Sequence, residues 1–445
     1  MSGPLGALRV IEVGHMLAGP YCGLLLADMG ADVIKVEPPE GDIGRRVSPH
    51  FVGPHNAYFA SLNRNKKSVV LDLASPGGRA DLERLAAGAH ALVTNLRPSA
   101  IRKLGLTYES LRHCNPRLIC VALTGYGLEG RFAESPAYDY VIQALTGVMA
   151  LTGDPNAPPT KAGYSVVDNS AGIVAAMGLL AKIVEGRGGQ VDVAMYDVML
   201  SQLNYLAGAS LNAGEVVERL ANSSHPYMVP AQIFPTADGW LTLFITHDKF
   251  WRAFCTEIDR PGWISDPVFA TMESRRSHRA QVVAAIGEVL VRAGAADWVR
   301  RLAPHGVVVS EVCTLAQALE SELTRERGLI VPLGDGQVPL RAVASPLRFD
   351  DHRPRYGLPP LLDEHHAQVL SEAGGTAGGQ GRGNRTPDRP GSTARTLIKL
   401  PSAMGKLRAN AFSDLRKVRP TASSSPNASP PAPKTTRRQP WPEIW

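Results

Sequence analysis

Within the first 200 residues, short β-branched runs alternate with stretches of helical spacing, and that alternation admits little besides a parallel sheet with helical crossovers. LRVIEV (8–13), ADVIKVE (31–37), SVVLDL (68–73), HALVTN (90–95) and RLICVAL (117–123) are bounded by Gly, Pro or Asn and read as strands. Between them, PYCGLLLADMG, SPGGRADLERLAAG and YESLRHC read as helices, with Ser75 as a predicted N-cap and Pro76 at the first helical position. QVDVAMYD (190–197) repeats the strand pattern, and a helix is expected from there to about Gly214. The texture then changes: AQIFPTADGWLTLFI predicts a hairpin turning at Asp238 and Gly239, followed by helices. VPLRAVASPLRF and LPPLLDEHHAQVLSEAG bring back a strand and a closing helix. The expected organisation is α/β: a discontinuous large domain over 1–205 and 326–374, a linker over 206–224, and a smaller α+β domain over 225–325.

Residues 375–445 differ in kind. They hold 13 Lys+Arg against 3 Asp+Glu, whereas 1–374 hold 34 against 38, so the net charge of +6 belongs to this segment and the rest is mildly acidic. Rich in Gly, Ser, Thr, Pro and Arg, it is expected to be a disordered tail, because it lacks apolar surface to offset the entropy of ordering. A polyanion-binding arm is one reading of it; a solvated appendage is the plainer one, since a charge run without closely interleaved aromatics is a weak nucleic-acid signal. Cys22, Cys114, Cys120, Cys255 and Cys313 form no CxxC pair, which suggests reduced, buried thiols and neither a disulfide framework nor a metal site. No apolar run approaches the ~20 residues of a membrane helix, and the start lacks a signal-peptide pattern, so the expected location is cytoplasmic.

GHMLAG places glycines at 14 and 19, which does not satisfy the dinucleotide fingerprint, so no NAD or FAD is expected. Basic residues nevertheless collect in loops at predicted strand ends: Arg45, Arg46, Lys66, Lys67, Arg97 and Lys103. In an open parallel sheet such loops border the ligand crevice, where cations meet phosphates; each alone is also an ordinary surface charge. Asp168, in YSVVDNSAGIVAAMG, stands where a helix begins, and an acid there is either an N-cap or a nucleophile.

The blocks LRVIEVGHMLAGPYCGLLLADMGADVIKVEPPEGD, NRNKKSVVLDL, TNLRPSAIRKLGL, SPAYDYVIQALTGVMALTG, GRGGQVDVAMYD and PPLLDEHH, with the Asp168 block, resemble the class III CoA-transferases of the CaiB/BaiF type, in order over residues 5–374. The resemblance implies a Rossmann-like large domain, an interlocked homodimer, and CoA or acyl-CoA as substrate with no permanently bound cofactor. It implies Asp168 as the nucleophile, which takes CoA as an aspartyl thioester and passes it to an acceptor acid. It further matches His15, Met16, Leu17 and Ala18 to the turn that packs on the CoA thiol arm, Asn95, Arg97 and Lys103 to the nucleotide and pantetheine region, and Tyr138 to an aromatic position beside the nucleophile. His15 also reads as a structural histidine. His225 and Tyr227 are candidates for the acceptor pocket, with loop packing as the alternative.

Departures from the family pattern refine these expectations. Related acyl-CoA racemases carry a histidine where this chain has Tyr138, and a phenol with pKa near ~10 is a poor base for an α-proton, so racemase or isomerase activity ranks second. A non-catalytic CoA-binding or polyanion-binding protein is the alternative from another class. Leu17 stands where formyl-CoA:oxalate transferases have glutamine, and ANSSHPYMVPAQ contains no glycine, which argues against formyl-CoA and oxalate. Succinyl-CoA as donor to a dicarboxylate is the expected pair. Asp363 replaces a usual glycine and brings its local turn into question. The Asp168 carboxylate, at the positive end of a helix, is expected to be ionised at neutral pH.

Overall fold

A computed structural model describes residues 3–375; apart from Gly375, the segment expected to form the tail lies outside the described residues. The predicted strands form one six-stranded parallel sheet: β1 (Arg9–Val13), β2 (Asp32–Glu37), β3 (Lys67–Val70), β4 (Ala91–Thr94), β5 (Ile119–Thr124) and β6 (Gly189–Ala194). Their order is β3-β2-β1-β4-β5-β6. Winding runs outward from β1 in one direction and then from β4 in the other. A crevice therefore opens at the carboxyl ends of β1 and β4, where crossovers leave to opposite faces.

Strand residues alternate between two fully covered faces, as a parallel sheet requires. Val10, Val33, Val93 and Val121 point to one core, with helix α1 (Ala18–Asp28). Ile11, Ile34, Leu92 and Cys120 point to the other, with α3 (Pro76–Ala87) and the closing helix His366–Gly375, which contributes Val369. Ser75 caps α3 as predicted, its hydroxyl accepting from Gly78 N at 3.0 Å with Pro76 next in line. A shorter helix, α2 (Ala57–Asn63), precedes β3. After β5 come α4 (Asp139–Leu145) and the long α5 (Val166–Glu185). Residues 231–235, 240–244 and 308–311 form a separate three-stranded antiparallel sheet around Phe234, Leu243, Trp251 and Trp298.

Four local expectations change. The last strand of the large sheet ends at Ala194, because Val198 and Met199 bury at helical rather than strand spacing; the following helix is broken at Leu203 into 195–202 and 204–213. Helix α5 spans 20 residues with mean hydropathy 1.4, long and apolar enough to cross a membrane, although Ala171, Ala175 and Leu179 seat one face of it in the sheet's core. Cys22, Cys120 and Cys255 are buried thiols, but Cys114 is half-buried and Cys313 exposed. At Asp363 the turn is kept, because Asp tolerates the left-handed φ of 62°. Its carboxylate then accepts from Val70 N at 2.7 Å, tying the turn to the end of β3.

Candidate active site

Helix α5 lies close against α1 because Gly172 has no side chain there: a Cβ would stand 2.9 Å from Ala18 O. Asp168, one turn earlier on the same face, is thereby carried toward the His15–Ala18 turn. It is not the N-cap. Ser165 holds that position without a side-chain bond, and Asp168 belongs to the first turn. The helix start is capped instead from α4, where Asp139 Oδ2 accepts from Val167 N at 2.8 Å and Asp168 N at 3.4 Å. Gln143 fixes that carboxylate, donating to Asp139 Oδ1 at 2.5 Å while its own Oε1 accepts from Ala162 N at 2.8 Å. Asp139 is 5% exposed and Gln143 fully buried.

This arrangement overturns the expectation of an Asp168 held ionised by the helix. Burial, and after it the negative charge of Asp139, pushes the Asp168 carboxyl up to about 7. The free amides that would have favoured its charged form are occupied by another carboxylate. Tyr58 on α2 reports the same environment. Burial, then the charges of Asp168 and Asp42, pushes its phenol up to about 12.

The turn after β1 is clamped from two sides. Asn95 Oδ1 accepts from His15 N at 3.0 Å and its Nδ2 donates to His15 O at 2.9 Å. Asp42 Oδ1 accepts from Met16 N at 3.1 Å and from Gly44 N at 2.8 Å, which holds Met16 in a left-handed conformation, φ 63°. Gly14 and Gly19 make room for Asn95, since a Cβ at either would lie 2.5 or 2.8 Å from its Oδ1. Leu17 and Ala18 complete the turn and begin α1. His15 is exposed at the residue level, but desolvation of its ring lowers its pKa below the ordinary imidazole value.

Beneath the turn lies an ionic network. Lys35 Nζ reaches Glu12 at 2.9 Å, Gly14 O at 3.0 Å and Asp42 at 2.8 Å. Lys66 Nζ reaches Glu12 at 2.7 Å, Pro20 O at 2.8 Å and Asn63 at 2.9 Å. Arg45 pairs with Glu37 at 2.6 Å and lies 3.8 Å from the centre of the Phe59 ring. Arg45 and Lys66 are therefore structural cations rather than phosphate ligands. Lys67 is paired with Asp32 at 2.8 Å, and Arg46 donates to Glu40 O at 3.0 Å.

A cavity of about 510 Å³ opens at the carboxyl ends of the first four strands, lined by Val36, Leu71, Leu73, Leu96 and Leu104 with His15 at its edge. Arg97 and Lys103 flank Leu96 and Leu104, are exposed, and make no ion pair among the described residues. Asn95, matched with them from the sequence, is occupied by the His15 clamp.

Tyr138 precedes α4 and is 67% exposed, adjacent in sequence to the buried Asp139. His225 and Tyr227 lie elsewhere, in an aromatic cluster with Tyr205 and Phe244; Tyr227 Oη donates to Glu215 at 2.9 Å. No hydrogen bond, ion pair or ring contact among the described residues joins them to Asp168. For a metal, Glu83, His113 and Cys114 bring three ligand atoms within 4.8 Å of one another, but Glu83 already pairs with Arg79 at 2.9 Å and none of the three belongs to this site. Asp139, Gln143, Asp42 and Tyr58 were not singled out by the sequence. Only Asp42 had a local signal, the Asp-x-Gly of an Asx turn.

The model of CoA-transferase family III matches residues 5–366. The chain belongs to that family. Among relatives of this CoA-transferase, the succinate–glutarate CoA-transferase of Agrobacterium fabrum is 36% identical over 83% of this chain and 95% of its own. The acetyl-CoA:oxalate CoA-transferase of Acetobacter aceti is 34% identical over 83% and 96%. The crystal structure of a CAIB/BAIF family protein from Brucella suis superposes with a TM-score of 0.75 at 32% identity, covering 84% of this chain and all of that one. The chain is thus a CoA-transferase with CoA thioesters as substrates, and its sheet and switch-point crevice are those of a family III fold.

Proposed function

We propose that Asp168 is the nucleophile of a transfer of CoA from succinyl-CoA to a dicarboxylic acid. The observation that carries this reading is a half-buried carboxylate with no ion-pair partner among the described residues, at a helix start that packs beside the turn bordering the apolar crevice. The Asp168 carboxylate attacks the donor thioester carbon and expels CoA thiolate, leaving a mixed anhydride. The thiolate attacks the aspartyl carbonyl and expels the donor acid, giving an aspartyl-CoA thioester. The acceptor carboxylate attacks that thioester, and the released thiolate cleaves the new anhydride to form acyl-CoA and regenerate Asp168. A carboxylate suits this exchange because anhydride and thioester keep the acyl-transfer potential that a serine ester would dissipate.

The CoA adenosine end is assigned to the apolar cavity, with Arg97 and Lys103 toward its phosphates and the His15–Ala18 turn along the thiol arm. The dicarboxylate choice follows the name of the Agrobacterium fabrum relative. A homodimer belongs to the same proposal. Ile173, Met177 and Val184, 51, 63 and 88% exposed, make an apolar stripe on the outer face of α5 that a second copy would cover. Tyr140 and Leu145 on α4 are exposed apolar side chains as well. Within one chain His225 and Tyr227 are apart from Asp168, so an acceptor role for them requires that pairing. The proposed location is the cytoplasm, which fractionation tests.

The decisive experiment incubates the protein with succinyl-CoA and single acids, including glutarate and oxalate, quenches with borohydride and maps the product by peptide mass spectrometry. Reduction at Asp168 together with a new acyl-CoA supports the reading and names the acceptor. An unmodified Asp168 during active transfer refutes it.

A further inference from the structure

We infer that Asp139 is the positioning residue of this site: by occupying the first amides of α5 it fixes where the Asp168 carboxylate stands and denies it the charge stabilisation of the helix terminus. The inference rests on Asp168 being the nucleophile. A helix start normally leaves amides free, and a carboxylate in the first turn then draws on them. Here the Val167 and Asp168 amides point at Asp139 Oδ2, at 2.8 and 3.4 Å. The arrangement is held rather than incidental. Asp139 and Gln143 are one turn apart on α4, both buried, and Gln143 links the carboxylate to Ala162 N on the segment leading into α5. Three stretches of chain are thus locked around the first turn that carries Asp168.

Among the described residues, the charged and titratable groups coupled electrostatically to Asp168 are Asp139 on α4 and Tyr58 on α2, and Tyr58 is coupled to Asp42 as well. Lys161, the nearest cation along the chain, is turned away: it donates to Ala162 O at 2.5 Å and lies 5.1 Å from the centre of the Tyr140 ring. No ion pair among the described residues offsets the two carboxylates. Burial beside a second acid raises the proton affinity of Asp168. Its ionised form is consequently a more basic, less solvated attacking group than an aspartate at an open helix terminus.

The test is the single-turnover rate of aspartyl-CoA formation, read by mass at Asp168 after mixing with succinyl-CoA, between pH 5 and 9. In the wild-type protein the acid limb is expected at about 7; a limb near ~4, the ordinary carboxylate value, overturns the inference without any variant. Asp139→Asn keeps the shape and removes the charge, and moves the limb down by roughly one unit. Asp139→Glu keeps the charge and displaces it by a methylene, so the limb stays while the rate falls roughly tenfold or more. A limb unmoved in Asp139→Asn, or a wild-type rate in Asp139→Glu, overturns it, and Asp139→Glu remains decisive if Asp139→Asn does not fold. Asp168→Asn separates the two readings. If it forms no adduct and transfers no CoA while the Asp139 variants behave as wild type, the positioning role fails and the nucleophile stands; transfer by Asp168→Asn removes the nucleophile itself.

Discussion

Replacing Asp168 by asparagine should make the folded protein more stable at pH 8 and leave it unchanged near pH 4. The reasoning is a proton balance. The carboxyl is raised from an ordinary 3.8 to about 7, so the folded chain binds this proton more tightly than the unfolded chain does. Wild-type stability therefore falls as pH rises from about 4 to about 7 and levels off above that, while Asp168→Asn lacks this slope. At about 1.4 kcal/mol per pKa unit the shift sets a ceiling of about 4 kcal/mol. Residual hydration at a half-buried position reduces the expected gain to about 1–3 kcal/mol. For a domain of this size that is a rise of roughly 1–4 °C in Tm at pH 8. Thermal unfolding of both proteins by circular dichroism at pH 4 and pH 8, at one protein concentration, measures it. Equal midpoints at pH 8, or a variant less stable there, would refute the idea that Asp168 is buried without charge compensation.

Three further predictions bear on other parts of the site. Arg97→Ala and Lys103→Ala should each raise KM for the acyl-CoA roughly 3- to 30-fold at low salt, less at high salt, with KM for the acceptor acid unchanged; steady-state kinetics with both substrates varied tests this, and an effect on acceptor KM alone contradicts it. Glu12→Gln leaves the Lys35 and Lys66 ammonium groups facing a neutral amide where all three side chains are fully buried. It should cost about 3–5 kcal/mol in a denaturant titration, and an unchanged midpoint would show that the network is not structural. Truncation after Gly375 should leave kcat/KM unchanged, because the family match ends at residue 366; loss of transfer would make the basic segment part of the enzyme.

What the sequence could reveal was what is local. The six strands were legible because runs such as LRVIEV and RLICVAL carry their signal in adjacent residues, and the start of α3 because Ser75 and Pro76 are next to the turn they cap. Partnerships across the fold were not legible. Lys66 looks like a phosphate ligand until Glu12, 54 residues earlier, is seen to hold it, and Arg45 until Glu37 is. Asn95 was matched to the ligand region, yet its amide closes on the His15 backbone 80 residues away. Asp168 was visible as an acid at a helix start, but its state depends on Asp139, 29 residues off and placed by a different helix. Spacing along the chain carries no trace of that contact.

Taken together, these misread pairings explain how the same fold supports two opposite treatments of buried charge. Under the βα turn every cation has a carboxylate: Lys35 and Lys66 share Glu12, Lys35 also meets Asp42, and Arg45 takes Glu37. That neutral platform holds Met16 in a left-handed conformation through Asp42. At the start of α5, by contrast, Asp139 and Asp168 form no ion pair among the described residues. A lysine or arginine at that point would lower the pKa of Asp168, stabilise its charge and weaken it as an attacking group; open amides would do the same. With Lys35, Lys66 and Arg45 paired beneath the turn and an acid over the amides of α5, the Asp168 carboxylate is left without a compensating charge among the described residues. The local loss of stability at Asp168 is therefore the physical signature that the proposed nucleophilic role calls for and that a helix cap would not show.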